Sequence, residues 1–158
     1  MFDRVVAAEK NLQRQIDFVA RADHKLEIAL GALIVIGSAL FFAIKNIWSA
    51  SSFIPPVLLF STFCLIVSIL LWLSAYNPRL AGAKGSLIFF DHIAGLSRTE
   101  FIKNWKMLTE ENYEEDLLNQ IFVNSQIARI RYKLLRRILL WGIVSAATLL
   151  VGFSISFW

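Results

Sequence analysis

The sequence has few of the residues that form an enzyme centre or a metal site. It contains one cysteine, Cys64, and two histidines, His24 and His92. One cysteine excludes an intramolecular disulfide, and neither histidine has ligand spacing to the cysteine or to the other histidine. A glycine-rich phosphate loop, a serine elbow and a plausible cysteine nucleophile are also missing. We therefore expect no enzymatic activity, no catalytic residue, no metal and no cofactor.

Charge is scarce in this chain, and its absence is concentrated in three stretches. Charged residues make up 18% of the sequence and hydrophobic residues 57%, against roughly 25% and 45–50% in soluble domains. Three runs, 28–44, 53–76 and 138–158, carry no charge at all. A membrane-spanning helix needs about 20 apolar residues. We therefore predict transmembrane helices at 26–48, 53–76 and 138–158, the first of them retained because no signal-peptide pattern precedes it.

Helix breakers are rare as well. The three prolines are Pro55, Pro56 and Pro78, and the first two suit the opening turn of the second span. No proline interrupts 114–158, which would form one helix about 65 Å long. No helix-breaking residue separates the amphipathic segment 1–25 from the first span either. The sequence thus predicts an all-α membrane protein whose first and last transmembrane helices continue unbroken into a cytoplasmic helical bundle, formed by 1–25 and 77–137.

The basic residues predict the orientation. Five lysines and arginines lie within 1–25 and ten within 77–137, whereas only Lys45 lies near the turn between the first two spans. Because cytoplasmic flanks are rich in Lys and Arg, we expect a cytoplasmic N-terminus and a periplasmic C-terminus. The protein would be a multi-pass protein of the bacterial inner membrane.

Apolar periodicity predicts how the bundle packs. A stripe on the first helix favours a bundle seam over a helix lying flat on the membrane, since its acids and bases are balanced. A heptad on the last helix places polar Ser125 in the seam, either to fix register or to hold a small polar ligand. The first stripe comprises Val5, Ala8, Leu12, Ile16, Val19, Ala22 and Leu26, and the heptad Leu118, Ile121, Ser125, Ala128, Tyr132 and Leu135.

Shorter signals complete the cytoplasmic region. Ser97 and Glu100 have the spacing of a capping box, and Thr109 is the expected cap of the last helix. Segment 86–96 fits a short buried strand or a helical turn, and its helical neighbours favour the turn. Residues 77–79 end the second span, and segment 80–86 is expected to be the loop that follows.

A group of basic residues before the third span has three possible roles. Arg129 and Lys133 lie four residues apart on one helix face, where they would attract anionic lipid, bind a phosphate or pair with acids of the first helix. Asp23, at a similar depth on the first helix, would either be a solvated charge at the membrane edge or face Arg129 or Lys133.

Three blocks of sequence, in this order, resemble the Pycsar transmembrane effectors of bacterial anti-phage defence. They are A-D-H-K at 22–25, S-L-I-F-F-D-H-I-A-G-L-S at 86–97 and D-L-L-N-Q-I-F-V-N-S-Q-I-A-R-I-R-Y-K-L-L at 116–135. The resemblance covers nearly the whole chain. One departure is Leu26, which stands where alanine commonly follows the lysine of the first block.

The resemblance implies a function. A companion cyclase would make cyclic CMP or cyclic UMP during infection, and this effector would sense it and impair the inner membrane, so that the cell stops growing or dies. The nucleotide would bind the cytoplasmic bundle, where its charge needs a cation and its base an amide or aromatic partner. The candidate ligand-binding residues are Lys25, Asn124, Arg129, Tyr132 and Lys133.

The expected partners are membrane lipid, the cyclic pyrimidine nucleotide and further copies of the chain, because three spans alone make no wide pore. Small residues at Gly142, Ala146, Thr148 and Gly152 offer close helix contacts. We expect no nucleic-acid partner. The alternative is an oligomeric membrane scaffold whose cytoplasmic bundle binds a protein.

Overall fold

A computed structural model describes residues 3–49, 51–76 and 86–157. These residues form five helices and no strand, which confirms the all-α prediction. The helices are α1 (Arg4–Ile47), α2 (Ile54–Tyr76), α3 (Phe90–Gly95), α4 (Arg98–Lys106) and α5 (Glu110–Ser156). Three of them, α1, α2 and α5, are long and apolar enough to cross a membrane.

The two longest helices are continuous, as predicted. Helix α1 has 44 residues and passes Lys25 without a break, and α5 has 47 residues and passes Arg137 without a break. Proline is absent from both, so no backbone N–H is lost along either helix. Helix α2 begins at Ile54, so Pro55 and Pro56 occupy its first turn, where the missing N–H groups cost little.

The chain divides into two compact units. The polar unit comprises Met1–Arg21 and Pro78–Ile130, and the apolar unit comprises Ala22–Asn77 and Arg131–Trp158. Helices α1 and α5 each contribute residues to both units. The predicted end of the second span at 77–79 and most of the predicted loop 80–86 lie outside the described residues. The predicted limits of the membrane-embedded segments stay predictions.

The polar unit has a small core, in which Ala8 and Leu12 of α1 pack on Leu117 of α5. Helices α4 and α5 begin with the predicted caps. Ser97 and Glu100 form both hydrogen bonds of a capping box at the start of α4. Thr109 Oγ1 accepts a hydrogen bond from the Asn112 N–H at the start of α5. Segment 86–96 contains one short helix, α3, which confirms the helical interpretation for its second half.

The apolar unit is held together by leucine and alanine packing and by serine hydrogen bonds. Ser61 of α2 and Ser145 of α5, both fully buried, each donate a hydrogen bond to the other's backbone carbonyl, at 2.8 and 2.9 Å. Ser68 donates to the Ile138 carbonyl at 2.8 Å. These bonds satisfy hydroxyls that would otherwise be unpaired in an apolar interior.

Glycines Gly142 and Gly152 make their close contacts within the chain. A Cβ on Gly142 would lie 3.2 Å from Leu33 Cδ2, and one on Gly152 would lie 3.4 Å from Leu58 Cδ2. The predicted close approach at these positions is therefore found between helices of one chain, where α5 meets α1 and α2.

Both predicted seams were wrong in part. Ile16 is 44% exposed and Leu118 is 53% exposed, whereas Leu117 and Gln120 are buried. A strict seven-residue repeat drifts around a straight helix of 3.6 residues per turn, so neighbouring apolar residues compete for the core position. Leu117 occupies it instead of Leu118. The buried polar residue of the seam is consequently Gln120, with Ser125 only partly buried.

Candidate functional site

A charged junction in the apolar unit joins α1 to α5. Arg131 Nη1 contacts both carboxylate oxygens of Asp23. The Arg131 side chain is only 12% exposed and that of Asp23 is 46% exposed. The Arg131 Nε is buried without a hydrogen-bond partner among the described residues. Asp23 thus neutralises a guanidinium that has been largely removed from water, a charge that would be costly to leave unpaired.

A cation–π contact lies beside this ion pair. The Lys25 ammonium of α1 lies 5.3 Å from the centre of the Tyr132 ring of α5. This distance is within the range in which a ring face attracts a cation. Lys25 itself is exposed, so the contact leaves much of the ammonium open to solvent.

Helix α2 joins α1 at the same level. Trp72 Nε1 donates a hydrogen bond to the Leu26 carbonyl at 2.9 Å. The Trp72 ring stacks on Tyr76 with centroids 5.2 Å apart. Three helices therefore meet in one group of residues: Asp23, Lys25, Leu26, Trp72, Arg131 and Tyr132.

Of the two roles considered for Asp23, the ion pair is present, but its expected partner was wrong. Arg131 holds the carboxylate, in place of Arg129 or Lys133. Two residues along a helix correspond to a rotation of about 200°, so Arg131 lies on the side of α5 opposite to both other bases. That side also carries buried Leu135 and Ile138, and it packs against α1.

A second polar junction ties segment 86–89 to α5 within the polar unit. Asp116 Oδ2 accepts a hydrogen bond from the Leu87 N–H at 2.9 Å. Gln120 Nε2 donates to Ser86 Oγ at 3.2 Å, and Gln120 is 4% exposed. Ser86 Oγ also accepts from the N–H groups of Ile88 and Phe89. One hydroxyl therefore fixes both the turn and its attachment to the helix.

Tyr113 forms the third junction, between α5 and α1 in the polar unit. Its hydroxyl donates to Glu9 Oε1 at 2.9 Å, and its ring meets that of Trp105 edge-on at 6.4 Å. Partial burial and, secondly, the bond to the Glu9 carboxylate raise the pKa of Tyr113. The neutral phenol is therefore the favoured form in the folded protein.

The five predicted ligand-binding residues are divided between the two units. Lys25 and Tyr132 are brought together, as described above, while Lys133 is exposed nearby on α5. In the polar unit, Asn124 Nδ2 donates to the Gln120 carbonyl at 2.8 Å and Arg129 is exposed. Neither Arg129 nor Lys133 forms an ion pair with any described residue. That these five residues form one binding site stays a prediction.

Sequence reasoning missed most of the residues that form these junctions. Asp116, Gln120 and Ser86 lie inside the quoted blocks, yet nothing in their spacing indicated which backbone groups they would bind. Trp72 lies near the end of the second uncharged run, and nothing in the sequence indicated that its indole N–H would bind the Leu26 carbonyl. Among the described residues, no group of three or more His, Cys, Asp and Glu side chains is placed to hold a metal ion.

The third of the quoted blocks thus contacts the first block within the apolar unit, through Arg131 and Asp23. It contacts the second block within the polar unit, through Gln120 and Ser86. Residues 7–158 match the family model described as the Pycsar effector protein domain, PycTM. The chain belongs to the Pycsar effector family. No curated protein and no solved structure matches it significantly. Pycsar effectors form an anti-phage defence family, and the three long apolar helices make this member a membrane protein.

Proposed function

We propose that this Pycsar effector senses a cyclic pyrimidine nucleotide, cyclic CMP or cyclic UMP, through its cytoplasmic helical region and then impairs the inner membrane. The infected cell would stop growing or die before phage is released. The observation that carries the proposal is the family match over 7–158, which includes all of α2 to α5 and nearly all of α1. We infer a role without catalysis, as is general in this family.

The continuity of α1 and α5 supports a direct path from ligand to membrane. Each helix runs without a break from the polar unit into a segment apolar enough to span a bilayer. A rotation or tilt imposed on such a helix at one end is carried along its length. The nucleotide would shift this equilibrium by binding one arrangement of the helices more tightly than the other.

The exposed bases before the third span suit the ligand's single negative charge. Arg129 and Lys133 are exposed and form no ion pair with a described residue, so both are free to bind a phosphodiester. Tyr132 offers a ring for the pyrimidine, and Lys25 would have to share that ring with it. Asn124 would contribute an amide for the base.

Cells that carry a membrane-potential dye test the proposal. The effector is expressed with an active pyrimidine cyclase, and separately with an inactivated one. We expect depolarisation only with the active cyclase, and none in the double variant Arg129→Ala with Lys133→Ala.

The matched control for that variant is Arg136→Ala with Arg137→Ala, which removes the same charge closer to the third span. It should still depolarise when present at equal abundance in the membrane. Equal depolarisation with both cyclases would reject nucleotide gating. Failure of the purified protein to bind either nucleotide by calorimetry, together with a stable protein partner on pull-down, would favour a scaffold.

A further inference from the structure

Helix α1 carries a basic and aromatic stripe on the side facing away from the polar unit's core. Its residues are Lys10, Arg14, Phe18 and Arg21, which at spacings of four, four and three fall within a sector of about 80°. All four are exposed, and Phe18 retains 45% of its accessible surface. Arg21 lies over the Phe18 ring at 5.8 Å. We call this set the basic stripe; Asp17, bonded to Gln13, is the acid beside it.

Helix α5 carries a complementary stripe. Glu111, Glu115, Leu118 and Phe122 follow at spacings of four, three and four and lie within about 60° of one another. Leu118 is 53% exposed and Phe122 is 64% exposed. This set, the acidic stripe, lies on the side of α5 away from buried Gln120. None of its carboxylates forms an ion pair with another residue that the structure describes.

Lipid does not account for these exposed apolar side chains. Phe122 lies about four helical turns before the third uncharged run, which begins at residue 138, and Leu118 lies one turn further away. A bilayer's hydrocarbon core is only about 30 Å thick, and the third run fills that thickness itself. Large apolar side chains that stay exposed together at this distance are typical of a surface that another protein covers.

The two stripes also lie at the same level. The hydrogen bond from Tyr113 to Glu9 and the packing of Leu12 on Leu117 set the register of α1 against α5. Lys10 and Arg14 are therefore level with Glu115 and Leu118. Copies in one membrane that are related by rotation about its normal keep every residue at the same level. The basic stripe of one copy would then meet the acidic stripe of the next.

We propose that the polar units of neighbouring chains associate head-to-tail, with the α1 basic stripe of one copy against the α5 acidic stripe of the next. A two-fold contact of either stripe with itself would place like charges together. Opposite charges and the Phe18, Leu118 and Phe122 side chains favour the unlike pairing. A head-to-tail contact whose rotation closes produces a ring. This interface does not depend on which ligand the protein senses.

Cysteine cross-linking between two tagged copies tests the pairing. Both copies carry Cys64→Ser; one carries Lys10→Cys and the other Glu115→Cys, and membranes are treated with a short bismaleimide. We expect mixed adducts to exceed either self-adduct by at least tenfold, with or without an active cyclase. As a control, Ile16→Cys replaces Lys10→Cys at an exposed position on another side of α1 and should give few adducts.

Charge reversal separates a specific interface from chance collision. Here the reporters are Phe18→Cys on one copy and Phe122→Cys on the other. Glu115→Lys in the copy with Phe122→Cys should reduce the mixed adduct at least fivefold. Adding Lys10→Glu to the copy with Phe18→Cys should restore it. Because both reversed residues are exposed, helical content by circular dichroism should be unchanged. Self-adducts of Glu115→Cys that equal the mixed adduct, or no adduct with either cyclase, would overturn the proposal.

Discussion

Arg131 of α5 and Asp23 of α1 form an ion pair in which the arginine is nearly buried and the aspartate is half exposed. The pair joins the first and last long helices next to the uncharged runs that would enter lipid. Because the two side chains differ in exposure, removing one should destabilise the protein more than removing the other. Removing the carboxylate leaves a buried guanidinium unpaired, whereas removing the guanidinium leaves a carboxylate that water can reach.

Asp23→Asn should therefore destabilise the protein more than Arg131→Gln does. We expect a loss of about 1–2 kcal/mol for Asp23→Asn, below the roughly 3–5 kcal/mol of fully buried pairs because Asp23 is half exposed. Thermal unfolding in detergent measures both variants, with Lys133→Gln as the exposed control. A larger loss for Arg131→Gln would show that its packing, and not its charge, is what stabilises the junction.

The serine pair of the apolar unit gives a second prediction. Ser61→Ala should cost about 1 kcal/mol, since it removes one buried hydrogen bond while the Ser145 hydroxyl keeps its bond to the Ser61 carbonyl. The matched control is Ser74→Ala on the same helix, an exposed serine whose hydroxyl bonds to the Leu70 carbonyl of its own turn. Unfolding titrations should show less than about 0.5 kcal/mol for Ser74→Ala. Equal effects would mean that the serine pair does not join α2 to α5.

Two glycines should respond differently to substitution by alanine. A Cβ at Gly142 meets Leu33 Cδ2 at 3.2 Å, so Gly142→Ala forces a side chain to shift and should cost about 1 kcal/mol. A Cβ at Gly31 meets nothing within 4 Å. Gly31→Ala should therefore be neutral or stabilising by up to about 1 kcal/mol, through helix propensity. Stabilisation by Gly142→Ala in a thermal unfolding experiment would contradict the close packing of α5 on α1.

The bond between Tyr113 and Glu9 predicts a pH dependence. The pKa of Tyr113 is raised in the folded state, so its contribution to stability is complete below the unfolded-state pKa of about 10. It is lost as pH rises from there through the folded-state pKa, because the unfolded chain releases its proton first. Tyr113→Phe should lower the free energy of unfolding by about 0.5–1.5 kcal/mol at pH 8. It should also reduce the fall of that free energy as pH rises. Unfolding measured from pH 8 to 11 tests this, and an unchanged decline in Tyr113→Phe would contradict it.

The long helices were predictable because the evidence for them is local. Runs without charge, the positions of Pro55 and Pro56, and the absence of proline from 114–158 are properties of adjacent residues. The capping box at Ser97 is likewise a four-residue pattern. Each of these features needs no knowledge of what packs against the helix.

The contacts between helices were not predictable to the same degree. Leu117 and Leu118 are adjacent and identical in type, so only the packing of α1 reveals which of them is buried. Arg129, Arg131 and Lys133 carry the same charge, and only the rotation of α5 directs Arg131 to Asp23. The partners of Asp116 and Gln120 are a backbone N–H and a serine hydroxyl, which have no pattern in the sequence.

The most direct test of nucleotide gating uses purified protein in lipid vesicles that hold a self-quenched dye. Cyclic CMP and cyclic UMP are titrated separately, with the linear 5′-monophosphates as controls. We predict dye release or loss of an imposed potential that saturates with one cyclic nucleotide and is absent with its linear form. Leakage that is independent of nucleotide, or vesicles that stay sealed at saturating concentrations of both, would contradict the account.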